Sequence, residues 1–430
     1  MALTATITLL LQTFSFFIHP AATMADAPVP ISVEATSAII IEASTGQSLL
    51  EINPDEALPP ASMAKMMTEY IILDKISKGA IQWDSKVTVS EHAANIGGSG
   101  GLLAKGETYT VEDLFKAVSI YSSNDAATAL AEYVAAGSVE KFAQLMNKTA
   151  KELGLSDKAY FIDPTGLDRS MLAETGYDPQ SLPGETLMTA RDAAKLGMHI
   201  VNDHPEALKF TSQTEAYLKP GDDRYLMPNW NWMLEGWKSY NNNFSKFAYP
   251  GLDGLKTGHT DAAGYCFTGT AQRDGMRLIT VVMGTKSEPK RFLETAKLLD
   301  YGFNNFTKKT ILTAKTEIPA LHVLPVKKGV AKKVSLVTEK GMEFVLPKNA
   351  SKDDFTIKTS SKPENEIVAP IEKGDVLGTV TLIYKTNPQI KQTVNLVAAE
   401  NVEKASWWRL ALRGIGNFFK DLFSGIKSLF

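Results

Sequence analysis

Pro59-Pro60-Ala61-Ser62-Met63-Ala64-Lys65-Met66-Met67 is the stretch that organises this chain. The two prolines end an extended segment. Apolar residues then fall at Met66, Tyr70 and Leu73, the spacing of a helix, and Gly79 marks its stop. Ser62 and Lys65 stand three positions apart at the predicted helix start, so the hydroxyl and the amine share one face. A helix N-terminus carries partial positive charge, which disfavours a protonated lysine and favours an oxyanion forming nearby. A serine beside a neutral lysine is an activated nucleophile. Spacing by itself does not single this pair out. Ser-x-x-Lys recurs at Ser138/Lys141, Ser287/Lys290 and Ser424/Lys427.

Working outward, the neighbours decide. Ser122-Ser123-Asn124 lies in the break between two helical runs, 111–118 and 125–134, where a loop can present side chains to a cleft. Lys256-Thr257-Gly258 occurs once and sits on a predicted strand, 255–260. Further strands are read at 265–271 and 276–284, joined by the hairpin dipeptide Asp274-Gly275. A helix at 289–302 follows. At the other end, the apolar run 38–43 turns at Ser44-Thr45-Gly46 and returns at 48–51 as a hairpin. Strands first, helices inserted (including one from Thr189) and strands last predict one sheet built from both ends of the region. Gly97-Gly98-Ser99-Gly100-Gly101 matches Gly-x-Ser-x-Gly, but no strand precedes it and no helix follows, so it reads as a flexible loop that can line the cleft.

Composition bounds the rest. The 430 residues are 44% hydrophobic and 22% charged, which excludes a disordered, collagenous or multi-pass membrane chain. The formal charge of −3 argues against a nucleic-acid partner. The single cysteine, Cys266, excludes an intrachain disulfide and reads as a small buried residue. The six histidines show no metal spacing, so no metal or cofactor is called for. Residues 1–25 hold no charged side chain and carry an apolar stretch ending at Thr23-Met24-Ala25. They read as a signal peptide cleaved after Ala25, although the usual basic residues before the apolar stretch are missing. From 308 to 400 helical periodicity gives way to Val-, Ile-, Thr- and Lys-rich segments with turn signals, a small all-β domain. In 401–430, Trp408, Leu412, Ile415, Phe419, Leu422, Ile426 and Leu429 recur at steps of four and three, with Arg409, Arg413, Lys420 and Lys427 opposite. The charges interrupt any membrane-spanning run, so an in-plane amphipathic helix fits, with Trp407 and Trp408 at headgroup level. A helix packed on the β domain is the alternative.

The ordered trio of Ser-x-x-Lys, Ser-x-Asn and Lys-Thr-Gly is the signature of serine β-lactamases and penicillin-binding proteins. With Lys256-Thr257-Gly258-His259-Thr260, and Gly264-Tyr265 running into 277–285, the chain resembles a low-molecular-mass penicillin-binding protein, a serine-type D-alanyl-D-alanine carboxypeptidase. The resemblance covers the whole length: signal peptide 1–25, catalytic domain 26–307, all-β domain 308–400 and anchoring helix 401–430. It implies an α+β fold: a β-lactamase/transpeptidase-like domain, with an antiparallel sheet flanked by helices plus a helical cluster, then the small all-β domain and the amphipathic helix. It also implies export, with peripheral attachment to the outer face of the bacterial cytoplasmic membrane.

The resemblance implies roles as well. Ser62 would attack the carbonyl between two D-alanines, and Lys65 would take its proton. Ser122 would relay a proton to the leaving amine, and Asn124 would orient the substrate amide. Lys256 would hold positive charge near Ser122, and Thr257 would bond the substrate carboxylate beside Gly258. The backbone N–H groups of Ser62 and His259 would form an oxyanion hole. Arg291 would take the terminal carboxylate, its donors matching both oxygens. The implied partners are peptidoglycan stem peptides ending in D-Ala-D-Ala, β-lactam antibiotics and the membrane surface. Three other readings compete: a β-lactamase of the same fold, an endopeptidase acting on cross-links, and a non-catalytic wall-binding scaffold.

Overall fold

The computed structural model describes residues 31–219, 225–240, 243–413 and 415. The expected signal peptide and the 416–430 part of the expected C-terminal helix lie outside them. Contacts divide the chain into two units: one runs to Ala314 and takes in Gly341–Lys348, the other holds Lys315–Lys340 and the chain from Asn349 onward.

The first unit is built on a five-stranded sheet. Its strands are β1 (Ser37–Glu42), β2 (Ser48–Ile52), β3 (Leu252–Thr260), β4 (Gly264–Arg273) and β5 (Met276–Thr285), in the order β2-β1-β5-β4-β3. All neighbours are antiparallel, and β1 from the start of the unit pairs with β5 from its end. The sheet made from both chain ends is therefore present. Asp274 and Gly275 both have positive φ, 48° and 76°, as the tight hairpin between β4 and β5 requires.

β1 is buried at all six positions, which explains a continuous apolar run where an antiparallel strand usually alternates. Ile39 and Ile41 join the core that holds Met63, Met67 and Phe115, while Ala38 and Ile40 join Phe292, Leu298 and Leu299 on the opposite face. Both faces of the sheet are thus covered. The core on the first face is shared by α1 (Lys65–Ser77), α2 (Val111–Tyr121), α3 (Asn124–Val134), α4 (Val139–Glu152) and α5 (Ala190–Asp203); on the second face lies α6 (Glu288–Asn305). Thr110 with Asp113 and Thr189 with Asp192 form capping boxes that start α2 and α5. One local expectation is revised. The helix does not begin at Ser62: Ala61–Ala64 is a 3₁₀ turn and α1 starts at Lys65.

The pair Phe306–Leu312 and Met342–Pro347 also belongs to the first unit, because Phe306 and Val345 complete the core on the α6 side. The contact division therefore falls after Ala314. The second unit carries its own antiparallel sheet, in the order Val323–Pro325, Lys333–Thr338, Lys391–Ala398, Val376–Tyr384, Phe355–Ser361. A helix over 407–413 follows. No helix among the described residues is long and apolar enough to cross a membrane.

Candidate active site

The Ala61–Ala64 turn carries Ser62 and is gripped from two sides by glycine. A Cβ on Gly166 would lie 2.1 Å from the Ala61 carbonyl oxygen, and one on Gly258 would lie 2.4 Å from that of Pro60. Only residues without a side chain let the backbone come this close. Gly258 therefore has a steric reason to follow Lys256-Thr257: it lets β3 run against the turn that presents the serine.

Lys65, the first residue of α1, is fully buried. Its Nζ lies 2.9 Å from the Ser62 Oγ and donates to the Thr165 carbonyl, also at 2.9 Å. Burial holds its pKa well below the ordinary lysine value, and the nearby Lys256 cation lowers it further; Asp163, Glu69 and Asp125 pull the other way. The predicted pairing of hydroxyl and amine is present, in a 3₁₀-to-α junction instead of a continuous helix.

Ser122 caps the C-terminus of α2 in the left-handed region at φ 63°, and Ser123 then caps the N-terminus of α3. This break aims the Ser122 hydroxyl at Lys256, whose Nζ donates to it at 2.7 Å. Lys256 is itself buried, and burial brings its pKa down to about 8. The Tyr121 carbonyl just before the break accepts from Ser99 Oγ at 3.1 Å and from the Trp230 indole at 2.9 Å.

A cleft of about 280 Å³ opens over these groups. Ser62, Ser122, Thr257, Gly258, His259 and Arg291 line it, together with Ser99, Trp230, Tyr265 and Glu288. Lys65, Asn124 and Lys256 stand behind that lining. Asn124 Nδ2 donates to the Gly97 carbonyl at 2.6 Å, and its Oδ1 has no partner among the described residues. Asp125 accepts from the Leu102 and Leu103 amides, so the Gly-rich loop is fastened to the start of α3, and Ser99 reaches the cleft. The His259 ring stacks on Tyr265 with centroids 3.9 Å apart, its Nδ1 lying 3.1 Å from the Gly264 carbonyl.

Arg291 is buried and shared. It donates to the Gly258 carbonyl at 3.3 Å and pairs with Glu288 at 2.8 Å, while its Nε has no partner among the described residues. Burial lowers its pKa to about 10. Cys266 is buried, and burial pushes its thiol up to about 11, which fits an inert residue.

Several neighbours of the site escaped sequence reasoning. Asp163 accepts from the Thr165 amide and hydroxyl and from the Gly166 amide at 3.1 Å, which shapes the turn that offers a carbonyl to Lys65. The punctuated run Asp163-Pro164-Thr165-Gly166 was the available signal. Glu69, one helical turn after Lys65, is buried with Oε1 unpartnered among the described residues, and burial raises its pKa to about 7. Trp230 and Glu288 left no local signal. Among the described residues no cluster of His, Cys, Asp and Glu could hold a metal.

A buried neutral-leaning amine on a serine hydroxyl, a second serine bonded to a buried lysine, and a buried guanidinium at one end of the cleft together suit nucleophilic acyl transfer from a substrate bearing a carboxylate. Comparison with known proteins agrees. Residues 21–287 match the model of the D-alanyl-D-alanine carboxypeptidase family, and 306–404 match the C-terminal domain of penicillin-binding protein 5. The chain is 35% identical to the D-alanyl-D-alanine carboxypeptidase DacF of Bacillus subtilis over 90% of each chain. It is 33% identical to DacC of Escherichia coli over 96% of each. Among solved structures, penicillin-binding protein 5 of Haemophilus influenzae superposes with a TM-score of 0.69 at 30% identity, covering 87% of this chain and 99% of that one. A penicillin-binding protein of Listeria monocytogenes, solved in an ampicillin-bound form, superposes with a TM-score of 0.54 at 31% identity, covering 64% of this chain and 100% of that one.

Proposed function

The chain belongs to the D-alanyl-D-alanine carboxypeptidase family of serine-type hydrolases, and from that premise we propose that it trims the terminal D-alanine from peptidoglycan stem pentapeptides through an acyl-enzyme on Ser62. The observation that carries this reading is the 2.9 Å contact between the fully buried Lys65 amine and the Ser62 hydroxyl that lines the cleft. Ser62 Oγ attacks the carbonyl carbon between the two D-alanines, and its proton passes to the neutral Lys65 amine. The backbone N–H groups of Ser62 and His259 receive the oxyanion. As the tetrahedral intermediate collapses, the C–N bond breaks and the leaving amine takes a proton through Ser122, whose hydroxyl is polarised by Lys256. D-Alanine departs, leaving an ester on Ser62. Water then attacks that ester, restoring the serine and releasing the shortened stem peptide.

Arg291 and Thr257 take the terminal carboxylate, with Lys256 adding positive charge from behind. Asn124 holds the Gly-rich loop by its bond to Gly97 and orients the substrate amide. β-Lactams acylate Ser62 as mimics of the dipeptide whose leaving group stays tethered. In the cell we place the enzyme outside the cytoplasmic membrane, exported by residues 1–25 and held at the surface by the amphipathic helix of 401–430, with the four segments bounded at 25, 307 and 400.

Two measurements test the proposal. Mass spectrometry after incubation with benzylpenicillin should find a covalent adduct on the peptide containing Ser62. Free D-alanine should appear when the enzyme meets a stem pentapeptide and should be absent with Ser62→Ala. D-Alanine release by Ser62→Ala, or an adduct on another residue, would contradict it. Rapid penicillin turnover without a persistent adduct would favour the β-lactamase reading.

A further inference from the structure

The second unit holds a lysine-rich loop, Val326-Lys327-Lys328-Gly329-Val330-Ala331-Lys332-Lys333, and all four of its lysines are exposed. The loop is tied to the segment that leads into the 407–413 helix. Val330 N donates to the Glu403 carbonyl at 2.7 Å, and Ala405 N donates to the Lys328 carbonyl at 2.8 Å. From the helix itself, the two terminal nitrogens of Arg413 donate to the Gly329 and Val330 carbonyls, each at 2.7 Å. Two bonds thus tie the loop to the segment before the helix and two tie it to the helix itself.

What this joint presents outward is mixed. Trp408, Leu412 and Ile415 stand four and three residues apart, which places them on one face, and each is more than half exposed. Trp407 is 82% exposed, and Val330 at the loop tip is also exposed. The loop and the segment joined to it also carry the four lysines, Lys404 and Arg409, all exposed. Glu366, in the turn before Ile367, and Glu403, between the bridged Val402 and Lys404, are exposed acids on the segments that pair with the loop, and the basic residues outnumber them. Exposed apolar side chains and exposed basic ones on two joined elements match a lipid surface with anionic headgroups.

We propose that the 326–333 loop is a second docking element of the β domain, which takes anionic phospholipid headgroups while the helix fastened to it lays its apolar stripe into the same leaflet. The proposal rests on the membrane-surface reading of the C-terminal helix and goes beyond it: attachment through two joined elements fixes the orientation of the β domain, which a helix on a free tether would not. A soluble anionic polymer fits less well, because it would leave Trp407, Trp408 and Leu412 in water.

The test uses the full-length chain and sedimentation with vesicles of phosphatidylcholine alone or mixed with phosphatidylglycerol. One variant combines Lys327→Ser, Lys328→Ser, Lys332→Ser and Lys333→Ser; a control combines Trp408→Ser with Leu412→Ser. Benzylpenicillin acylation confirms that each is folded. The lysine variant should lose at least about tenfold in affinity for the mixed vesicles at low salt, lose most of the salt dependence, and bind neutral vesicles as before. The control should lose both vesicle types. A lysine variant that binds mixed vesicles like the wild type overturns the loop proposal and leaves the helix reading standing. A wild-type chain that ignores both vesicle types overturns both. Lysine-dependent binding of soluble polyphosphate with no salt-sensitive gain on mixed vesicles would assign the loop to a polymer and overturn it as well.

Discussion

The Lys256 ammonium donates to the Ser122 hydroxyl at 2.7 Å across 134 positions of chain. The same pocket holds a second amine, Lys65, on a second hydroxyl, Ser62. Two cations in one dry space repel strongly, so the arrangement favours one proton between them more than two. Lys65, fully buried with its pKa held well below the ordinary value, is the amine suited to be neutral. Lys256, with its pKa near 8, is suited to carry the charge. Environment thus separates the two lysines into the roles of base and electrostatic anchor that the proposed mechanism gives them.

Replacing Lys65 removes the proposed base and leaves the proposed nucleophile, Ser62, in place. Lys65→Ala should slow acylation by benzylpenicillin about 10²- to 10⁴-fold. Lys65→Arg should not restore it, because a guanidinium keeps its proton. Time courses of adduct formation by intact-mass spectrometry measure both.

The pH profile follows from the directions of the two shifts. Lys65, whose pKa burial holds well below the ordinary value, sheds its proton as pH rises, and acylation should increase. Above about 8, Lys256 also loses its charge and attraction for the substrate carboxylate should fall. A plot of kcat/KM against pH for a stem pentapeptide should be bell-shaped with its falling limb near pH 8, the limbs belonging to the lysine pair. Stability has its own sign. The Lys256 pKa is lower in the folded state, so its contribution is full above the ordinary 10.5 and is lost as pH falls toward about 8. Glu69 runs the other way: its contribution is full below 4.5 and is lost as pH rises through about 7. Urea denaturation at several pH values checks these slopes.

Gly166 combines a φ of 78° with a backbone oxygen where a Cβ would stand. Gly166→Ala should cost about 1–3 kcal/mol or more in urea denaturation. The folded fraction should also acylate more slowly, because the turn carrying Ser62 must shift. Stability loss with an unchanged acylation rate would show that the turn tolerates displacement.

On the proposed reading, Arg291 and its partner Glu288 tune carboxylate recognition together. Arg291→Gln should raise KM for a D-Ala-D-Ala peptide far more than for its C-terminal amide, about tenfold or more given the strength of charge-assisted pairs. Glu288→Gln frees the guanidinium from its 2.8 Å partner and should lower KM for the free acid. Steady-state kinetics on the two peptides separate these outcomes from a general loss of fold.

Much of this was legible in the chain. Asp274-Gly275 marked a hairpin because that turn needs two left-handed residues in a row. The break at Ser122-Ser123 was legible because a helix C-cap and a helix N-cap have distinct local chemistry. The start of α1 was misread by three residues, since 3₁₀ and α turns share apolar spacing over so short a run. Trp230, Glu288 and Asp163 were not legible as site residues, because nothing in their own neighbourhoods records which distant groups they meet.

Local sequence by itself determined the kinds of groups this protein brings to chemistry, an order of strands and helices, and the turn residues that join them, because backbone preference and side-chain spacing act over a few residues. Tertiary structure alone decided which lysine is dry enough to lose its proton, which carbonyl holds it, and which glycines must stay bare. Those properties depend on the solvent excluded and the atoms met at each position, and these exist only once residues a hundred or more apart in the chain come together.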